Sequence, residues 1–195
     1  MIQTMMPFAP DQNLGGAYNQ AMRTLPDDGW ACFLDHDAIW TTREWYGQLA
    51  EAAAFQPEAG LFTAVGSRAS RSWQSAGDPE SHDMRWHRDF GHRRLATRTL
   101  LDVTNTRGIG GFVMLISKKS WSLAGGFPKG MYCVDHGIHF ALARIGRPIY
   151  VIEGLYVYHW RRADGKRSPG PKVVGCPCKQ VVATDVVPNK RLKLP

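Results

Sequence analysis

The chain has 195 residues, enough for one domain with a single sizeable core. Hydrophobic residues make up 44% and charged residues 21%, an ordinary globular composition, and no apolar run approaches the roughly 20 residues that span a bilayer. The formal net charge of +7 turns attention from cationic ligands to an anionic one: a nucleotide diphosphate, a phosphorylated glycan or lipid, or nucleic acid.

Residues 2–8 are short and apolar enough for a first strand ending at Pro7-Phe8. The stretch MIQTMMPFAP has no basic flank and no apolar core of signal-peptide length, so a cytoplasmic protein, or one peripheral at a membrane, is expected. Leu14, Ala17, Tyr18, Ala21, Met22 and Leu25 then recur at helical spacing and make one buried stripe. Asp11 or Asn13 can cap this helix, and Pro26-Asp27-Asp28-Gly29 stops it. Residues 30–34 read as a buried strand running into Asp35-His36-Asp37. Thr41 and Glu44 have the spacing of a capping box for a second helix. Residues 61–65 give another strand. Residues 66–98 are polar and arginine-rich, with few periodic signals, which predicts a functional or mobile loop.

Gly110-Gly111 precede a strand at 112–116, and Gly125-Gly126-Phe127 makes a tight connection. Ile138, Ala141, Leu142 and Ile145 mark a third helix, closed by Gly146 and Pro148. Residues 149–152 and 155–159 are the last strands. The segment 164–195, rich in glycine, proline and lysine, reads as a basic peripheral tail, with 181–187 a candidate edge strand. Cys32, Cys133, Cys176 and Cys178 lack the paired spacing of a zinc site and read as reduced thiols, although Cys176-Pro-Cys178 could bind metal or oxidise. Strands and helices alternate, so one α/β domain on a mixed central sheet flanked by helices is expected over 1–163. Ligands bind such sheets at the carboxyl ends of strands.

Asp35 and Asp37 stand at such an end. Residues two apart on an extended chain face one side, so the two carboxylates can share a point while His36 faces away. Paired this closely they repel, and a divalent cation removes the conflict. Oxygen donors suit Mg²⁺ or Mn²⁺. Asp-x-Asp also arises as an ordinary turn or helix cap.

The strings NLGGAYNQAM, WACFLDHDAIW, GGFVMLISKKSWSLAGGF, VDHGIHFALARIG and YVYHWRR follow one another in order over residues 13–162. As an ordered set they resemble the family-two glycosyltransferases with the GT-A fold. The resemblance implies a nucleotide-sugar donor, UDP-sugar favoured, a divalent metal, and transfer with inversion to a glycan, lipid-linked or phosphorylated acceptor. By position, Asp35 and Asp37 match the metal and donor motif, and His36 falls with them at the donor. His159 matches a late histidine ligand, which tilts the metal toward Mn²⁺. Asp135 matches the catalytic base, although this chain has Val134 where relatives carry a first acid. By residue type alone, His159 also reads as a half-buried polar residue among Tyr156, Tyr158 and Trp160, and Asp135 as a carboxylate at a helix start.

Only residues 1–12 precede Asn13, so the resemblance implies an N-terminal nucleotide-binding half that is either shortened or not included in these 195 residues. Pro7, Phe8, Asn13, Gly16 and Asn19 are the candidate donor contacts. Trp73, Gln74 and Trp86 are candidates for sugar or acceptor, since an aromatic face stacks on sugar and an amide bonds its hydroxyls. The competing expectations are a basic nucleic-acid-binding protein, a metal-dependent phosphohydrolase, and a transferase-like domain without catalysis. The pI of about 9.4 favours the first of these. Against it stand the absence of a nucleic-acid motif and an acidic pair that repels phosphate.

Overall fold

The computed structural model describes residues 1–77, 81–160 and 190–195. The candidate strand at 181–187, Cys176 and Cys178 lie outside the described residues. The chain runs β1 (Ile2–Met5), α1 (Leu14–Arg23), β2 (Trp30–Leu34), β3 (Ala38–Trp40), α2 (Trp45–Phe55), β4 (Leu61–Gly66), α3 (Met84–Arg94), β5 (Thr99–Asp102), β6 (Val113–Ser117), α4 (Lys118–Leu123), α5 (Val134–Arg144), β7 (Ile149–His159) and β8 (Arg191–Lys193). This is an α/β protein on one mixed sheet of order β1-β2-β6-β4-β7-β5-β8, with β3 paired on the end of β7.

Strands β1 and β2 are parallel, as are β4 and β7, while β6 runs antiparallel to both β2 and β4. The carboxyl ends of β1, β2, β4 and β7 therefore share one edge of the sheet. β4 is buried along its whole length, and β7 at all but one of its positions. Their nearly unbroken apolar sequences follow from helices covering both faces. The gap between the two strands expected at 149–152 and 155–159 is instead a register irregularity within continuous β7. Ala64 pairs with Ile152, but the next residue, Val65, pairs with Tyr156. Gly154 sits in the skipped stretch, where a Cβ would stand 2.4 Å from the Thr97 carbonyl oxygen.

One face of the sheet carries α1 and α5 through Tyr18, Met22, Ile138 and Leu142. Phe33 anchors it, with Tyr18 stacked at 4.3 Å between centroids and Phe127 edge-on at 5.5 Å. Each such ring contributes roughly 1.5–3 kcal/mol by burial. The other face carries α2 through Leu49, Ala52 and Ala53.

Four local expectations are corrected. Helix α2 starts later than a Thr41 capping box requires. Its cap position is Glu44, without a side-chain bond, and the Thr41 hydroxyl donates to the Tyr156 carbonyl at 2.7 Å. The arginine-rich stretch 66–98 is not one long loop. It holds a single helical turn, Ser72–Gln74, and the helix α3, which lays His87 and Phe90 against Tyr156. Cys133 is disulfide-bonded rather than reduced. Arg191–Lys193, grouped by sequence with the tail, pair with β5 as the edge strand. No helix of the described residues is long and apolar enough to cross a membrane.

Candidate metal centre at the carboxyl edge of the sheet

The apolar run of β2 fixes where Asp35 lies. Its backbone N–H donates to the Phe112 carbonyl at 3.0 Å, just before β6, and its own carbonyl accepts from Ala38 N–H at 3.0 Å to close a turn. That turn reverses the chain into β3, whose Ala38 pairs with His159 on β7. The Asp37 carbonyl accepts from Trp160 N–H at 2.8 Å. His36 is exposed, and because 35–38 form a turn the alternation of an extended strand does not govern it; its charge acts on both Asp35 and Asp37.

The turn brings together what the sequence separates by more than a hundred positions. One ligand atom from each of Asp35, Asp37 and His159 lies within 4.8 Å of the other two. His159 Nε2 stands 3.4 Å from Asp37 Oδ1. The histidine is 6% exposed and stacks on Phe112 at 4.9 Å. Ser67, directly after β4, holds its backbone: the serine Oγ accepts from His159 N–H at 3.0 Å and donates to His159 C=O at 3.2 Å. His159 Nδ1 is buried without a hydrogen-bond partner among the described residues.

The charges are strained in a particular sense. Burial raises the Asp35 carboxyl above its ordinary range; His159 opposes this, while Asp37 and Asp135 push further upward. Asp37 is held low, chiefly by its hydrogen bond to His159. A cation among the three donors would relieve Asp35 and complete the site. Two carboxylates and one imidazole are a donor set that could hold a divalent cation.

Asp135 lies in the first turn of α5, where the helix dipole favours a carboxylate. It is not the cap; that position is Cys133, in the left-handed region at φ 60°. The side chain accepts from His136 N–H at 2.8 Å. Gly111 makes the approach of α5 possible, because a Cβ there would stand 2.9 Å from the Asp135 Cβ. Tyr18 was legible only as a core residue of the α1 stripe. Its hydroxyl is raised by burial and then by Asp35 and Asp135, which places it between the two carboxylates' fields. Ser67 lies in no motif, and Phe112 read only as the first residue of a buried strand, so the part each plays at His159 was missed.

The remaining candidates fall in different places. Pro7 and Phe8 leave β1 at the same edge and line a shallow groove with Ala17, Gln20 and Ala21, Phe8 being 85% exposed. Asn13 Oδ1 caps α1 through Gly16 N–H at 3.0 Å and also accepts from Gly130 N–H at 2.8 Å. Asn19 Oδ1 accepts from Trp121 Nε1 and Phe127 N–H, each at 2.8 Å, and its amide donates to Phe127 C=O at 2.9 Å. These two amides bind the turn at 125–130, and Gly16 packs against the Asn13 side chain.

Gln74 is fully buried. Its amide donates to Thr63 Oγ1 at 2.8 Å and to Gly110 C=O at 3.1 Å, and its oxygen accepts from Gly110 N–H at 2.6 Å. No hydrogen-bonding capacity of this amide is turned to a sugar. Trp73 packs on the core, and Trp86 stacks on Phe90 at 5.1 Å. Among the described residues, several arginines are bonded within the fold. Arg94 donates to Glu153 C=O at 3.0 Å, Arg98 to Glu51 and the Pro195 carbonyl, and Arg191 to Glu153.

No protein-family model and no curated protein sequence matches the chain.

Proposed function

We propose that this protein is a GT-A-like inverting glycosyltransferase, moving a sugar from a nucleotide-diphosphate donor, UDP-sugar favoured, to an acceptor hydroxyl. The observation that carries the reading is the meeting of Asp35, Asp37 and His159 at the carboxyl edge, with Asp135 near enough to raise Asp35. Asp35, Asp37 and His159 would hold a divalent cation, Mn²⁺ or Mg²⁺, which supplies charge neutralisation for a departing diphosphate. Asp135 accepts the proton of the acceptor hydroxyl. As it does so, the acceptor oxygen bonds to the anomeric carbon, the bond from that carbon to the diphosphate oxygen breaks, and the nucleoside diphosphate leaves. Tyr18, its hydroxyl kept protonated by burial, lies in the field of both Asp35 and Asp135. Ser67 and Phe112 hold His159 in place.

Donor recognition falls to the groove of Pro7, Phe8 and α1 rather than to Asn13 and Asn19, whose amide oxygens are already occupied. A nucleic-acid reading draws little support from this layout, because three of the arginines that suggested it by charge, Arg94, Arg98 and Arg191, are bonded within the protein.

The test is a thermal-shift screen of nucleotide sugars with and without Mn²⁺. A ligand at 100 times its dissociation constant stabilises by about 2.7 kcal/mol. One nucleotide sugar should raise the melting temperature only when Mn²⁺ is present, and Asp37→Ala should abolish that rise while leaving a folded protein. A flat response across the whole screen would sink the reading.

A further inference from the structure

The segment from Ser67 to Gln74 is pinned at both ends. Ser67 is clamped to the His159 backbone, and Gln74 is buried against Gly110 and Thr63. Ala76 N–H donates back to Gly66 C=O at 3.2 Å, closing the loop. Between the pins, Arg68 Nη1, Arg71 Nε and Trp73 Nε1 are buried without a hydrogen-bond partner among the described residues. All three are donors, and two belong to guanidinium groups. Buried donors are almost always paired, so this run points to acceptor atoms outside the described residues.

The second observation concerns charge. Arg71 Nη2 lies 2.6 Å from His136 Nε2. A guanidinium can only donate, so the imidazole accepts at Nε2 and is neutral, with its proton on Nδ1. Burial of His136 favours the same state. His136 therefore adds no second positive charge, and it orients Arg71 against α5, one residue along the helix from Asp135. Arg68 acts on His87 and Tyr156 at the other flank. The wall thus runs from α3 to α5. A water molecule would accept from one N–H, but it would leave the guanidinium charge uncompensated; a phosphate or carboxylate answers both needs.

We propose that Arg68 and Arg71 form an oxyanion subsite that receives the phosphate or carboxylate of an acidic acceptor beside Asp135. The word acceptor rests on the glycosyl-transfer reading above; the anion rests on hydrogen bonding and charge alone. The acceptor, rather than the donor diphosphate, is assigned because Arg71 reaches α5 next to the group that takes the acceptor proton, whereas the diphosphate belongs with Asp35, Asp37 and His159.

Inorganic phosphate, titrated calorimetrically into the full chain without metal, tests the site. Saturable binding is expected in the wild type and in Asp37→Asn. Arg71→Gln and Arg68→Gln should each weaken it by about ten-fold or more, the scale of one charge-assisted hydrogen bond. Circular dichroism checks each variant's fold, and each is read separately, so loss of fold in one leaves the other to decide. Absent binding, or binding that neither substitution changes, overturns the subsite. UDP with Mn²⁺ should bind Arg71→Gln as it binds the wild type; a loss equal to that for phosphate would move the subsite to the donor diphosphate and overturn the acceptor assignment. If phosphate binds through the arginines while no nucleotide sugar binds at all, the transfer reading falls and the anion site stands.

Discussion

Two regions flank the Asp35–Asp37–His159 cluster, and they differ in how completely their polar groups are bonded. On the α1 side, each amide oxygen of Asn13 and Asn19 accepts two hydrogen bonds, one of them from the turn at 125–130 and the other from Gly16 N–H or Trp121 Nε1. Gly125 and Gly126 adopt φ of 79° and 88° to present that turn, a conformation glycine reaches without strain. On the 67–74 side, Arg68, Arg71 and Trp73 each carry a buried donor atom without a partner among the described residues. The first region is finished by folding alone. The second is held just as firmly by Ser67 and Gln74, yet its donors are left open. Rigid walls with open donors are where a ligand supplies the missing partner, and motif-like asparagines need not be ligand contacts.

The largest effect expected is at Asp135, between the two regions. Asp135→Asn keeps the shape and the acceptor for His136 N–H but cannot take a proton. Turnover should fall by roughly 10²–10⁴, the usual scale for losing a general base. Nucleotide-sugar binding should hardly change, because Asp35, Asp37 and His159 are untouched. Steady-state kinetics beside a binding isotherm checks both. Activity within a few-fold of wild type would remove Asp135 from the chemistry.

The next effect is on stability and falls on the open side, under His136 and Arg71. Burial takes His139 from its ordinary 6.5 down to about 4, against a weaker upward pull from the Thr104 and Thr106 carbonyls. The unfolded chain therefore binds a proton that the folded chain refuses. Stability contributed by neutral His139 is complete above pH 6.5, is lost as pH falls through that window, and is gone near 4. The loss amounts to roughly 3 kcal/mol across the window. Urea unfolding at a series of pH values should show it, and His139→Leu should flatten that slope. An unchanged slope in the variant would show that other groups set the acid limit.

On the closed side, Asn19→Ala removes three hydrogen bonds and strands Trp121 Nε1 and the Phe127 backbone. The cost should be roughly 2–3 kcal/mol. Donor affinity, corrected for folding, should stay constant. A variant of full stability that fails to bind nucleotide would return Asn19 to the donor site.

The sequence disclosed the parts of this layout that rest on periodicity. Apolar runs located β2, β4, β6 and β7, and the Tyr18–Met22–Leu25 stripe located α1. The pair at 35 and 37 stood out because charge follows a buried strand without a break. The approach of His159 is a matter of sheet register, and local spacing carries no trace of it; only the ordered resemblance put it forward. Helix α3 was hidden because MRWHRDFGHRR buries just two side faces, His87 and Gly91, and shows charge elsewhere. Gly91 has to be small, since a Cβ would stand 2.4 Å from Thr41 Oγ1. That same packing, with the Thr41 bond to Tyr156, takes away the capping box. Gln74 looked like a sugar contact because an amide beside tryptophan gives no sign of which partners tertiary structure will bring to it.

The smallest effect expected is the sharpest discriminator between the two regions. Trp73→Phe deletes one buried, unpaired N–H and keeps an aromatic ring against the core. Removing a polar group that has no partner gives up no hydrogen bond, so the indole's lost packing is offset by the removed desolvation penalty. The stability change should stay within about 1 kcal/mol, in either direction. Thermal and urea unfolding of the ligand-free chain measures it. A loss as large as that of Asn19→Ala would mean that Trp73 Nε1 is bonded in solution, and the 67–74 wall would then be as closed as the asparagine side. A near-neutral result, with phosphate stabilising the wild type more than the variant, would place that N–H among the groups an anion engages.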